Sequence, residues 1–89
     1  MKHNQLLAAV KEVLFCEWDP IGVNDDERCR NEYDSYAPTI CRMLEAGAEE
    51  SKLAAHLRQL RINAMGLSDS DERQEHDRRV ACRLLALLG

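Results

Sequence analysis

The chain has 89 residues, a net charge of −4, and a composition that is 45% hydrophobic and 4% aromatic. A chain of this length folds as a single domain around one modest core. Its acidic balance argues against a nucleic-acid coat, which needs concentrated Lys and Arg, and no apolar stretch is long enough to span a membrane.

Leu and Ala dominate the apolar residues, and four Gly with two Pro supply few turns. Both features favour helices over sheets. We therefore predict an all-α fold, a compact four-helix bundle in one domain over residues 1–89. A long ordered loop is expected between helices 1 and 2.

The first helix is predicted over about residues 4–17, with Asn4 as its N-cap. Asp19-Pro20 ends it, because the residue before a proline is pushed out of the α region. Trp18, the only tryptophan, therefore lies at the helix exit. The apolar stripe of this helix comprises Leu6, Leu7, Val10, Val13, Leu14 and Trp18.

Residues 18–36 break the helical periodicity and combine the only Trp and both Tyr with a group of acidic residues. Aromatic side chains beside charges are typical of a protein contact surface, whereas packing at the edge of the core is the favoured alternative, and both can hold. We expect Ile21 or Val23 to pack under the indole of Trp18. The predicted partner-binding residues are Trp18, Asp19, Asp25, Asp26, Glu27, Glu32, Tyr33 and Tyr36.

The second helix is predicted to begin at Ser35 as N-cap, with Pro38 in its first turn and Gly47 as the left-handed residue after its end. The third helix follows from Ala48 and ends at Gly66. Their inward-facing residues are predicted to be Ala37, Ile40, Cys41, Leu44, Leu53, Leu57, Leu60 and Ala64. Two basic stretches are interpreted as a solvated helix face and cations near a helix end: Lys52, His56, Arg58 and Arg61, then Arg78, Arg79 and Arg83.

The fourth helix is predicted to start after Ser68 as its cap, with acids in its first turn and arginines toward its end. Its first half has no apolar side chain, so we expect that half to project or to lie exposed. Its second half carries more apolar residues than one stripe needs. We predict a homodimer contact, with the alternative that the tail completes the core. The residues concerned are Leu84, Leu85, Leu87 and Leu88.

No motif predicts catalysis, a cofactor or a metal site. The sequence has no nucleophile elbow and no Gly-rich phosphate loop, and the acids of residues 18–36 do not follow EF-hand spacing. His56 and His76 are expected to face solvent. A metal-dependent enzyme is therefore the least supported hypothesis.

The four cysteines form no Cys-x-x-Cys pair and lie far from the histidines, so their spacing does not suit zinc. Without an export signal we expect reduced thiols and a cytoplasmic location. Cys16 and Cys82 are expected to be buried, Cys41 to face the core, and Cys29 to be the exposed thiol.

Three stretches carry a family resemblance: Trp18-Asp19-Pro20-Ile21-Gly22-Val23, Glu32-Tyr33-Asp34, and Met43-Leu44-x-x-Gly47 to Leu53-Ala54-x-x-Leu57. Over about residues 12–67 the chain resembles small bacterial helical proteins of unknown function with a Trp-Asp-Pro motif, the YugE-like group. Asn31 departs from that pattern, which has Asp there, and the charged fourth helix is not matched. The resemblance implies a helical fold and a bacterial cytosolic origin, and it supplies no activity or site.

Together these features predict a non-catalytic protein-protein interaction or regulatory module that contacts a protein partner, preferably a basic one, through its acidic aromatic loop. The alternative is an immunity or antitoxin-like inhibitor that masks the basic active site of a toxin or nuclease. A steep salt dependence would distinguish the inhibitor.

Overall fold

The computed structural model describes residues 2–88 and confirms an all-α domain, with four α-helices and no strand in that range. The helices are α1 (His3–Val13), α2 (Ala37–Glu45), α3 (Glu50–Gln59) and α4 (Asp71–Ala86). α1 packs on α2, α3 packs on α4, and contacts between α1 and α4 join the two pairs.

Two helices continue into a π turn, in which an N–H bonds to the carbonyl five residues back. α1 continues through Leu14–Trp18, closed by the Asp19 N–H on the Leu14 carbonyl at 2.9 Å. α3 continues through Leu60–Ala64, closed in the same way between Met65 and Leu60 at 3.0 Å. The two turns carry Trp18 and Arg61, which both hydrogen-bond to buried Asp77.

A single apolar core joins all four helices and the segment between α1 and α2. Most of the predicted inward positions are buried, although Leu60 is half-buried and Ala64 is exposed. The core consists of Leu6, Val10, Val13, Leu14, Trp18, Tyr33, Ala37, Ile40, Cys41, Leu44, Leu53, Leu57, Val80, Ala81 and Leu84.

The predicted helix starts need correction at three positions. Asn4 lies inside α1, and Ser35 lies in a 3₁₀ turn, Asp34–Tyr36, that leads into α2. Ser70 rather than Ser68 caps α4, and its hydroxyl accepts the Arg73 N–H at 3.1 Å. A capping side chain must stand directly before the first helical residue to reach the free N–H groups of the first turn, as Ser70 reaches that of Arg73.

The predicted helix ends are confirmed. Asp19, which ends the first helical stretch, has a left-handed backbone with φ of 35°. Gly47 and Gly66 follow α2 and the π turn after α3 with φ of 82° and 68°, values that a residue with a Cβ adopts only with strain.

Three of the four cysteine predictions are wrong. Cys16 and Cys82 are exposed, because they fall beside the buried stripes of their helices, and Cys29 is half-buried. Cys41 is in the core as expected. All four are free thiols.

The C-terminal leucines largely complete the core. Leu84 is fully buried, Leu85 and Leu87 pack partly against the core, and Leu88 is 49% exposed. This is the alternative to a dimer contact, so the homodimer stays a prediction that now depends mainly on Leu88. In the described part of the chain, no helix combines the length and apolar character needed to cross a membrane.

Candidate functional site

Residues 18–36, called the acidic segment below, hold six carboxylates against two arginines. Their net charge of −4 equals that of the whole chain, so the remaining residues are balanced. The excess negative charge of the protein is therefore confined to one segment, which joins α1 to α2.

The aromatic residues hold this segment on the core. Trp18 and Tyr33 are 2% and 1% exposed, and their rings meet edge to face with centroids 5.5 Å apart. Tyr36 is half-buried and contacts Trp18 in the same manner at 6.5 Å. Such buried ring pairs favour one packing geometry. Trp18 and Tyr33 thus position the segment and cannot themselves contact a partner.

Asp19 organises the turn that follows the helix. Its carboxylate accepts the backbone N–H groups of Val23 at 2.9 Å and Asn24 at 3.0 Å, and the Tyr33 hydroxyl at 2.7 Å. Tyr33 Oη in turn accepts the Ile21 N–H at 3.1 Å. Val23 packs against the core, whereas Ile21 is 45% exposed. Asp19 therefore stabilises the loop internally and presents no free carboxylate to a partner.

Two other predicted contact residues are engaged in local ion pairs. Asp26 binds Arg28 through two hydrogen bonds of 2.9 and 3.0 Å, and Glu27 binds Arg30 at 2.8 Å. Arg30 also reaches Glu12 of α1 at 2.6 Å. Its guanidinium carbon lies 4.9 Å from the centroid of the Phe15 ring. These contacts fasten the outer part of the segment to α1 by charge.

Asp25 and Glu32 remain as exposed carboxylates of the segment that form no ion pair within residues 2–88. They are the predicted contact residues that the structure leaves free for an electrostatic contact. The acidic segment is thus an ordered surface with two unpaired carboxylates on its outside.

Behind Trp18 lies a buried ion-pair cluster that the sequence analysis missed. The carboxylate of Asp77 in α4 accepts hydrogen bonds from Arg61 Nη2 at 2.5 Å and from Arg61 Nε at 3.1 Å. Trp18 Nε1 donates a third hydrogen bond to the same carboxylate at 3.1 Å. Arg61 and Asp77 are 2% and 1% exposed. The interpretation of Arg61 as part of a solvated face is therefore wrong. The first half of α4 is held in place by buried Asp77 instead of projecting, but most of its other residues are exposed, which was the alternative expectation.

Asp69 extends this cluster toward the surface. It accepts Arg58 Nε at 2.7 Å, Arg61 Nη2 at 3.1 Å and Gln74 Nε2 at 2.9 Å. The bond from Arg58, followed by that from Arg61, holds the pKa of the Asp69 carboxyl well below its ordinary range. The cluster therefore balances two arginines with two carboxylates.

This depressed pKa predicts an acid-sensitive contribution to stability. A carboxylate with a lowered folded-state pKa stabilises the fold above its unfolded pKa of about 3.9, and the contribution is lost as the pH falls below that value. We expect Asp69→Asn to lose less stability than wild type between pH 6 and pH 2.5 in urea unfolding. Asp71→Asn, an exposed change two residues away, is the control. Identical pH slopes for wild type and Asp69→Asn would contradict the assignment.

Neither His56 nor His76 belongs to a metal site in the described residues. His76 is half-buried rather than solvent-facing, and its Nε2 donates to the Trp18 carbonyl at 3.1 Å. His56 is half-buried as well, and burial lowers its pKa. Among residues 2–88, no three His, Cys, Asp or Glu side chains converge as metal ligands.

Comparison with known proteins adds no relative: no family model matches the sequence, and no curated protein or solved structure is significantly similar to it. The resemblance to the YugE-like group stays a prediction.

Proposed function

We propose that the protein is a non-catalytic interaction module that binds a basic protein partner through the acidic segment. The observation that carries this proposal is the confinement of the whole net charge to one ordered segment. Unbalanced surface charge steers an oppositely charged partner and selects against like-charged ones.

The rigidity of the segment strengthens the proposal. Trp18 and Tyr33 are buried beneath it, and Asp19 bonds its first turn. A surface that is ordered before binding loses less conformational entropy when the partner docks. A bacterial cytosolic setting belongs to the same proposal, and the four free thiols support it.

The test reverses the two free carboxylates. Asp25→Lys with Glu32→Lys is expected to weaken binding of a basic partner by about tenfold, as expected when attractive exposed charges become repulsive. Affinity capture from the soluble lysate of the native host, at low and high salt, measures this for wild type and variant. A single stoichiometric partner lost with salt and with reversal supports the proposal.

The matched control makes the same charge change elsewhere. Glu49→Lys with Asp71→Lys alters two exposed acids outside the segment, and we expect the partner to be retained. A partner that both double variants retain would instead point to an apolar surface. Absence of any partner would favour self-association.

An inhibitor of a basic toxin or nuclease is the second candidate, because the same rigid carboxylates suit a basic active site. The captured partner decides between the two candidates. The module is an inhibitor if that partner is a nuclease whose activity falls when wild-type protein is added. The charge-reversed variant, added in place of wild type, should leave the activity unchanged.

A further inference from the structure

A cleft lies at the start of the acidic segment, where the exit of α1 meets the first half of α4. Its volume is about 420 Å³, within the usual range for small-molecule sites. Trp18 and Pro20 form part of its lining, and Arg73, His76 and Arg79 of α4 form another part. The cleft is therefore lined mainly by aromatic and cationic groups.

Arg61 also contributes to the wall, and one of its nitrogens is unsatisfied. Nε and Nη2 bind Asp77 and Asp69, whereas the buried Nη1 has no hydrogen-bond partner among residues 2–88. Asp69 and Asp77, which hold the other nitrogens of Arg61, do not line this cleft. A buried N–H without an acceptor is unfavourable, and an acceptor that reached Nη1 from the cleft would remove that penalty.

Two arginines of α4 supply further unused donors. Arg73 and Arg79 are exposed and pair with no carboxylate within the described residues. With His76 they are spaced by three residues along the helix, which places them toward one side. The bond from His76 to the Trp18 carbonyl fixes the imidazole between them.

The acids of the cleft are Asp19 and Glu72. Asp19 is already engaged by three donors of its own loop, and Glu72 is exposed at the start of α4. Both carboxylates would oppose an anion here, and Glu72 is the one that can be replaced without disturbing that loop. Its effect has the opposite sign to that of the arginines, which makes it useful in a test.

We propose that this cleft binds the phosphate group of a small molecule. A phosphate offers several acceptor oxygens at once, and guanidinium groups match it through paired charge-assisted hydrogen bonds. Half-buried Pro20 gives a small apolar edge against which an attached organic group can lie. This site is separate from the partner-binding function proposed above, and either can hold without the other.

The experiment is an NMR titration of the full chain with inorganic phosphate at low ionic strength. The indole N–H of Trp18, the only tryptophan, reports on the cleft, together with the amides of residues 73–79. We expect saturable shifts at these positions. Phenyl phosphate serves as the monoester probe, and tighter binding of it would assign the site to a phosphorylated metabolite rather than to free phosphate.

Substitutions of the charged residues of the cleft are expected to change the affinity for phosphate in opposite directions. Arg73→Gln and Arg79→Gln are each expected to weaken binding by about two- to fivefold, the scale of an exposed ion pair, and Glu72→Gln to strengthen it by a similar factor. Arg78→Gln is the matched control, since Arg78 pairs with Glu75 and lines a different groove. The proposal would be overturned if the shifts did not saturate or if acetate produced equal shifts. It would also be overturned if Arg78→Gln weakened binding as much as Arg73→Gln and Arg79→Gln do.

Discussion

Replacing Asp77 with asparagine is expected to lower the free energy of unfolding by about 3–5 kcal/mol, as when one partner of a buried ion pair is removed. Asparagine keeps the size of the side chain and an oxygen for Trp18 Nε1, so the change isolates the charge. Arg61 would then remain buried with only Asp69 to balance it. A domain of this length has about 4–13 kcal/mol of stability, so much of it would be lost.

Urea unfolding followed by Trp18 fluorescence measures this loss. Glu75→Gln on the same helix is the control, because Glu75 is exposed and its pair with Arg78 contributes at most about 1 kcal/mol. The double change Arg61→Met with Asp77→Leu is expected to recover most of the stability, since apolar residues of similar volume can replace a buried ion pair. A loss below about 1 kcal/mol for Asp77→Asn would show that the pair is hydrated in solution.

Trp18→Ala is expected to lower the free energy of unfolding by about 3–5 kcal/mol, because truncating a buried aromatic residue leaves a cavity. It also removes the hydrogen bond to Asp77 and the ring surface on which Tyr33 and Tyr36 pack. The acidic segment should therefore loosen more than the rest of the fold. Hydrogen exchange at the amides of residues 19–36 is expected to accelerate more than exchange in α2.

Trp18→Phe separates packing from hydrogen bonding. It keeps an aromatic ring beneath the segment but loses the Nε1 donor and part of the ring volume, which predicts a loss of about 1–3 kcal/mol with slow exchange retained in the segment. Unfolding is followed by far-UV circular dichroism, since both variants lack the tryptophan. Equal acceleration of exchange in Trp18→Ala and Trp18→Phe would assign the ordering of the segment to the hydrogen bond instead of the ring.

The helices could be predicted from the sequence because local rules decide them. Steps of three and four residues predicted the stripes of α1 and α2. Asp19-Pro20, Gly47 and Gly66 predicted where the first three helical stretches end. The caps were less certain, because Ser68 and Ser70 both precede acids, and only the backbone conformation at residue 70 selects between them.

The buried cluster was accessible to sequence analysis only in part. Arg61 falls four residues after Leu57, and Asp77 three before Val80, so each extends an apolar stripe. Two opposite charges on facing stripes are a signal for a buried pair. Their union with Trp18 depends on how α3 and α4 pack and on two π turns, which no local pattern specifies.

Phe15 shows that the acidic segment covers apolar surface as well as presenting charge. The ring is 2% exposed but lies outside the core cluster, with the guanidinium of Arg30 above it. Arg30 is held there by Glu12 and Glu27, so its stem and charged head cover the ring. Any event that lifts the segment from α1 would bare an aromatic side chain to water and favour aggregation. Solubility and the docked state of the segment are therefore coupled.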